Sequence, residues 1–190
     1  MALDNKLGLT STAELDCEEE RISKKKAAQL FDQKLLDTFG VGTFAGLALI
    51  HKYLFEDIYD FAGELRTVNI AKGNFRFAPL MYLQSALENI DKMPQSNFDE
   101  IVEKYVEMNI AHPFREGNGR STRIWLDHIL KNKIGKVVDW SKVDKEDYLK
   151  YLFQKVQELF SCLCALLHGL GRQNLSDLIY FQVPYRTSEV

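Results

Sequence analysis

The run His112-Pro113-Phe114-Arg115-Glu116-Gly117-Asn118-Gly119-Arg120-Ser121-Thr122-Arg123 brings together an imidazole, a carboxylate, two glycines and the paired guanidiniums of Arg120 and Arg123. No other stretch of the chain is as dense in chemistry. Gly117-Asn118-Gly119 puts conformational freedom immediately before a helix-forming segment, which is how backbone N–H groups are turned toward an anion. The orphan N–H groups of the helix's first turn point the same way and add partial positive charge. Asn118 could also cap that turn. Arg120 and Arg123 are three apart and share a face. A cation at a helix N-terminus is unfavourable by about 0.3 to 1 kcal/mol, so a helix that carries two there expects an anion, and phosphate suits the site. Arg123 has a plainer reading, an ion pair with Asp127 four residues on worth about 0.3 to 0.5 kcal/mol. That reading covers neither Arg120 nor the glycines.

Glu116 adjoins this anion site, where a carboxylate repels phosphate unless a cation lies between them. Mg²⁺ resolves the conflict, because it is commonly held by one or two carboxylates together with nucleotide phosphates. His112 can accept a proton at neutral pH, and general-base catalysis contributes about 10² to 10⁴ in rate. Pro113 disfavours the α conformation for the residue before it, which places His112 where a helix gives way to the loop. Phe114 is expected to point inward and Arg115 to be solvated.

Outward from the loop, the chain reads as mainly α. Asn97, followed by Asp99 and Glu100, starts a helix whose Ile101, Tyr105, Met108 and Ala111 face the core and which delivers the chain to His112. After the loop, residues 121–131 carry Ile124, Trp125, Leu126, Ile129 and Leu130 over a wide arc, the pattern of a central helix buried on several sides. Thr43 caps a helix through Leu47, Ile50, His51, Leu54 and Phe55, with His51 and Tyr53 read as packed rather than catalytic. Residues 1–16 read as a loose N-terminal arm in which Thr12 or Asp16 could cap the first helix. From Glu18 that helix is expected with Ile22, Ala27, Leu30, Phe31 and Leu35 inward and Glu18 to Glu20 at its positive end, stopped at residues 39–42.

Between residues 66 and 77 alternation replaces the helical period, and Lys72-Gly73-Asn74 supplies a turn, so a short hairpin is expected in an otherwise helical chain. An isolated hairpin is marginal in water and must pack on helices or keep an open edge for a partner. Residues 81–93 read as a helix ended by Pro94. Ser141 and Asp144 start another that runs to Leu167, with a short helix at 174–181.

The whole of residues 1–190, with 46% hydrophobic content, suits one compact domain. A net charge of −3 gives no dominant basic face, so nucleic-acid binding is not required and any phosphate binding is local. Cys17, Cys162 and Cys164 are odd in number and unevenly placed, which points to a reducing compartment rather than a disulfide framework. With no signal-like start and no run of 18 apolar residues, the chain reads as cytoplasmic, with no membrane association.

The run 112–123 resembles the Fic motif, His-Pro-Phe-x-(Asp or Glu or Asn)-Gly-Asn-Gly-Arg-x-x-Arg, and the match is complete. Residues 59–66 look like the family's segment before its flap and 69–77 like the flap, so the resemblance covers roughly residues 40–150. It implies a Fic-type helical bundle with a short β-hairpin flap beside the active-site loop. It also implies Mg²⁺-dependent transfer of AMP from ATP to a Tyr, Ser or Thr hydroxyl of a target protein, with release of pyrophosphate. Carried over position by position, His112 is the base, Glu116 holds Mg²⁺, Gly117, Asn118 and Gly119 form the anion hole, and Arg120 and Arg123 hold the phosphates. Ile70, Ala71, Lys72, Gly73, Asn74 and Phe75 register the target by strand pairing.

Many Fic proteins are held inactive by a helix with Ser/Thr-x-x-x-Glu-Gly/Asn, whose Glu pairs with the second motif arginine, here Arg123. Residues 155–190 contain no such pattern. The nearest match is Thr10 with Glu14, where Leu15 departs from it; Ser96 with Glu100 has the spacing but reads as a helix start. Two alternatives stand beside AMP transfer. One is transfer of another phosphate-linked group such as UMP, phosphocholine or phosphoryl. The other is a nucleotide-binding toxin or regulatory module silenced by an inhibitory partner. Residues 155–190 are expected to serve as core or as a homo-oligomer face.

Overall fold

A computed structural model of the chain describes residues 2–72 and 75–143. The chain divides into two compact units, Met1–Ile134 and Gly135–Val190. The expected helices after Asp144, the segment 155–190, Cys162, Cys164, Gly73 and Asn74 lie outside the described residues.

The first unit is built from five helices and one hairpin: α1 (Thr12–Asp32), α2 (Phe44–Phe55), β1 (Ala71–Lys72), β2 (Phe75–Arg76), α3 (Leu80–Lys92), α4 (Phe98–Ala111) and α5 (Asn118–Ile134). The mainly α expectation holds, and the hairpin falls where alternation placed it, antiparallel with Ala71 opposite Arg76 and Lys72 opposite Phe75. Helix α5 is central, packing on α2 and α4, while α1 packs on α2 and α3 on α4. Its Ser121, Thr122, Trp125, Leu126, His128, Ile129 and Leu130 are all buried, as the wide apolar arc requires. Trp125 meets its polar need by donating from Nε1 to the Thr43 carbonyl (3.0 Å).

The caps read from sequence are present for two helices. Thr43 Oγ1 accepts from the Gly46 N–H (3.0 Å) at α2, and Asn97 Oδ1 accepts from the Glu100 N–H (3.0 Å) at α4. Glu100 completes a reciprocal box by accepting from the Ser96 N–H (2.7 Å). The core face of α4 carries Ile101, Tyr105, Met108 and Ala111 as expected, joined by Lys104, whose Nζ donates to the Met93 carbonyl and Gln95 Oε1.

Helix α1 departs from the sequence reading. It starts at Thr12, with Ser11 as its N-cap, rather than at Glu18. The stretch before it is not a loose arm: the Lys6 N–H donates to the Ile58 carbonyl (2.8 Å), and the Asn5 side chain bonds the Leu3 and Leu9 backbone. The buried positions of α1 are Leu15, Glu19, Ser23 and Leu30, whereas Phe31, expected inside, is 49% exposed. Two of the inward positions are polar, so the apolar period misreads the helix phase. Glu18 and Glu20 sit mid-helix, paired with Arg21 and Lys24. The helix stops at Asp32, and Lys34 turns the chain with φ +53° into a short 3₁₀ turn, Leu35–Thr38. In the second unit, Trp140–Lys142 forms a 3₁₀ turn, with Asp139 Oδ1 accepting from the Ser141 N–H.

Candidate active site

His112 is the C-cap of α4, with φ +48° and ψ +63°. A left-handed conformation costs a residue with a Cβ about 1 to 2 kcal/mol, and Pro113 removes the α alternative. The turn throws the imidazole out of the helix packing and onto Phe77, with centroids 3.7 Å apart and planes at 16°. Nδ1 is buried without a hydrogen bond, which leaves Nε2 as the nitrogen able to meet a substrate. Burial, with smaller contributions from the Arg66 and Lys72 charges, pushes the His112 pKa down to about 4, although the Asn109 backbone works the other way. The ring is therefore neutral at physiological pH.

The carbonyls that end α4 are met by Arg66, a residue that the spacing of the motif gives no reason to single out. Its Nε donates to the His112 carbonyl (2.8 Å) and Nη2 to the Ala111 carbonyl (3.2 Å). The same fork reaches both roots of the hairpin, with Nη1 donating to the Val68 carbonyl (2.8 Å) and Nη2 to the Ala78 carbonyl. Its own N–H donates to the Pro113 carbonyl (2.9 Å). One buried guanidinium thus ties the His112 turn to the hairpin. Its legible signals are its place at the start of the alternating segment and at the end of the stretch 59–66.

Phe114 points inward as expected, fully buried and stacked 3.8 Å from the His51 ring. His51 is structural in a specific way. Its Nδ1 accepts from the Gly63 N–H (2.8 Å), which fixes the proton on Nε2, and Nε2 donates to the Glu116 carbonyl (2.8 Å). Protonation would destroy the first bond, and burial lowers the His51 pKa to about 4. Asn118 closes the loop rather than capping α5. Its Oδ1 accepts from the Phe114 N–H (2.9 Å) and its Nδ2 donates to the Phe114 carbonyl (2.7 Å). Gly117 has φ +76°, and a Cβ there would lie 2.4 Å from the Phe55 ring, so both backbone and space demand glycine.

Beyond that turn the groups of the motif lie at the surface. Glu116, Gly119 and Arg123 are exposed, with Glu116 Oε1 accepting from the Gly117 N–H (3.0 Å) and Arg123 Nε donating to the Gly119 carbonyl (2.9 Å). Arg115 is exposed as expected, its guanidinium 5.9 Å from the Phe61 ring centroid.

Arg120 differs from the sequence reading, which gave it no internal partner. Its Nη2 donates to Glu19 Oε1 and its Nη1 to Ser23 Oγ (3.0 Å), both on α1. The Tyr59 hydroxyl donates to the other Glu19 oxygen. The anion that two arginines on one turn call for is, for Arg120, partly supplied by the chain itself. Glu19 gives no sign of this in the sequence, because it lies far from Arg120, inside a run of three glutamates that reads as the acidic start of a helix. Glu14, the candidate inhibitory carboxylate, is exposed in the first turn of α1.

Of the flap residues, Ala71 and Lys72 are exposed, Ile70 and Phe75 half-buried. Phe77 closes the hairpin, its N–H donating to the Ile70 carbonyl (3.2 Å), and packs edge-on to Phe75. Among the described residues the hairpin forms a two-stranded sheet. No helix among them is long and apolar enough to cross a membrane.

Residues 43–130, which hold this site, match the Fic/DOC family. Over 186 residues the chain is 28% identical to the protein adenylyltransferase VbhT of Bartonella schoenbuchensis, covering 91% of this chain and 37% of that protein. It is 30% identical over 111 residues to the Escherichia coli K12 protein named "probable protein adenylyltransferase Fic", covering 53% of this chain and 55% of that one. The chain thus spans about a third to a half of these relatives' length. A solved structure of the N-terminal Fic domain of a VirB-translocated Bep effector from Bartonella quintana, with bound ADP, superposes with a TM-score of 0.67 at 21% identity. The match covers 83% of this chain and 84% of that one, a likeness of fold. Residues 43–130 are thus the part of the chain that carries the likeness to the Fic/DOC family.

Proposed function

We propose that the chain is a protein adenylyltransferase that moves AMP from ATP to a Tyr, Ser or Thr hydroxyl of a target protein. The observation that carries this reading is a neutral imidazole, His112, held beside the hairpin and at the mouth of a glycine loop that leads into a helix N-terminus. Relatives named as adenylyltransferases and an ADP-bound relative of the same fold support it.

In this reading the target hydroxyl oxygen attacks the α-phosphorus of ATP. A new P–O bond forms, the bond to the bridging oxygen breaks, and pyrophosphate leaves. His112 takes the hydroxyl proton on Nε2. The backbone of Gly117, Asn118 and Gly119 faces the charge that develops on phosphate oxygens, and Arg120 and Arg123 hold the polyphosphate. The target segment pairs with the flap edge, residues 70–75, so that main-chain bonds set its register.

Mg²⁺ fits the residues present. Glu116 is an exposed oxygen donor beside the loop, and a single carboxylate with nucleotide phosphates is an ordinary Mg²⁺ ligand set, so the lack of a three-residue metal cluster among the described residues is no obstacle. When bound, the ion would neutralise phosphate charge next to Glu116.

A compartment of reducing character, the cytoplasm, suits Cys17, which is free and exposed. The 1–190 chain is taken to act as one domain, with control through Arg123 by Glu14, a partner or a second copy left to experiment.

The test is transfer of label from α-labelled ATP to proteins of a cell lysate. Labelling is expected with the wild-type chain and lost by at least about 10²-fold in His112→Ala. Label transfer that survives in His112→Ala removes the assigned role. Label that arrives from UTP, CDP-choline or γ-labelled ATP instead would replace the donor.

A further inference from the structure

Glu19 has no part in the transfer chemistry, yet it is built into the site. It is 4% exposed, and Ser23, one turn further along α1, is 2% exposed. A buried carboxylate is costly unless every oxygen is paired. Here both are: Oε1 accepts from Arg120 Nη2 and Oε2 from the Tyr59 hydroxyl. Ser23 is equally committed, its hydroxyl donating to the Glu20 carbonyl (3.3 Å) while its oxygen accepts from Arg120 Nη1 (3.0 Å). The Arg120 guanidinium lies 5.1 Å from the Phe55 ring centroid, and Phe55 is the side chain that Gly117 must clear.

Three properties of this cluster point beyond a tie between helices. First, Arg120 is 32% exposed in its side chain, so the guanidinium sits at the rim of the site and is not sealed inside. Second, the fork has five N–H donors, and its two contacts with α1 use one on each terminal nitrogen, which leaves Nε–H and one N–H on each terminal nitrogen. Third, both anchors lie on one element and grip both terminal nitrogens, which fixes the plane of the fork as well as its position. Burial and, after it, the neighbouring Arg123 charge both work against the Arg120 cation, and the Asp16 carboxylate opposes them. A latch that blocked the site would have to swing away; this carboxylate is buried and held from behind by Tyr59.

We infer that Glu19, with Ser23 and Tyr59, is a positioning residue that holds the Arg120 fork in the orientation in which its remaining N–H groups meet a nucleotide polyphosphate. This rests on the reading that Arg120 binds phosphate. The fork is set before the ligand arrives, so the ordering cost of a long side chain is met on folding rather than on binding.

The test is a double-mutant cycle on the full chain, read by calorimetric binding of a non-hydrolysable ATP analogue and by KM and kcat for AMP transfer. Glu19→Gln is expected to raise Kd and KM about tenfold with kcat changed less than threefold, and Ser23→Ala to raise Kd about threefold. In an Arg120→Gln background, Glu19→Gln is expected to leave Kd unchanged within a factor of two, which a general loss of stability would not do. Should Glu19→Gln fail to fold, Ser23→Ala alone and in the Arg120→Gln background carries the same comparison.

Unchanged binding in Glu19→Gln overturns the proposal. So does equal weakening in both backgrounds. Tighter binding in Glu19→Gln would make the carboxylate a competitor for Arg120 and overturns it too. A wild-type chain that binds the analogue yet transfers no AMP overturns the activity alone, because the cycle still reads from binding. A wild-type chain that binds no analogue overturns both.

Discussion

The loop of residues 112–117 joins two helix ends of opposite polarity, and the chain treats them in opposite ways. At the end of α4 the negative pole and its bare carbonyls meet a buried guanidinium, Arg66, which is 3% exposed and saturated by backbone oxygens. At the start of α5 two guanidiniums stand at the positive pole. Arg120 is half answered by Glu19, while Arg123 and Glu116 remain exposed. The first end is finished by folding, so the position of His112 needs nothing from outside. The second keeps guanidinium surface within reach of solvent, where an incoming anion would join it. His112 is thereby fixed, and the proposed anion site is left to its ligand.

The contrast breaks most severely at Arg66. In Arg66→Ala several buried carbonyls lose a charged donor at once, so stability is expected to fall by on the order of 4 kcal/mol, read as the midpoint of urea unfolding at constant slope. A comparable change at the open end, Arg123→Ala, should shift that midpoint little and weaken ATP binding instead. Equal losses at both positions would erase the distinction.

Gly117→Ala strikes the hinge between the two ends. The positive φ and the approach to Phe55 together predict a loss on the order of 2 to 3 kcal/mol and a fall in AMP transfer steeper than the change in stability. Thermal melts beside initial rates read both.

Acid sharpens the comparison more gently. The folded-state pKa of His51 lies at about 4, below the ordinary 6.5, so the unfolded chain binds the extra proton first. The stability involved is fully present above pH 6.5, is lost as pH falls toward 4, and declines no further below that. Between pH 7 and 5 the loss is roughly 2 kcal/mol from His51, with His112 adding in the same direction. His51→Gln should flatten that slope in urea titrations at stepped pH. If His112 is the base, as proposed, the acid limb of kcat/KM is expected near pH 4 rather than 6.5.

Much of this architecture is legible in the sequence for physical reasons. The break at Pro113, the glycines flanking Asn118 and the caps at Thr43 and Asn97 are local signals found where the sequence places them, and the alternation at residues 66–77 contains the shorter hairpin of residues 71–76. The features that the sequence hides are non-local. Glu19 and Arg120 are a hundred positions apart, and the polar pair Glu19 and Ser23 occupies the inward stripe of α1, so a search for apolar periodicity shifts that helix's phase and puts Phe31 inside. Arg66 is invisible for a related cause: its partners are backbone carbonyls, which no side-chain pattern announces.

The stacking of His112 on Phe77 has a kinetic side. Phe77 closes the hairpin whose edge would receive the target, so the acceptor's strand and the base share one lever. On the proposed docking, a polypeptide that fits the edge badly would tilt the imidazole as well as bind weakly. Discrimination between good and poor targets should then surface in turnover as much as in capture, and saturating concentrations of a poor target would not rescue its rate.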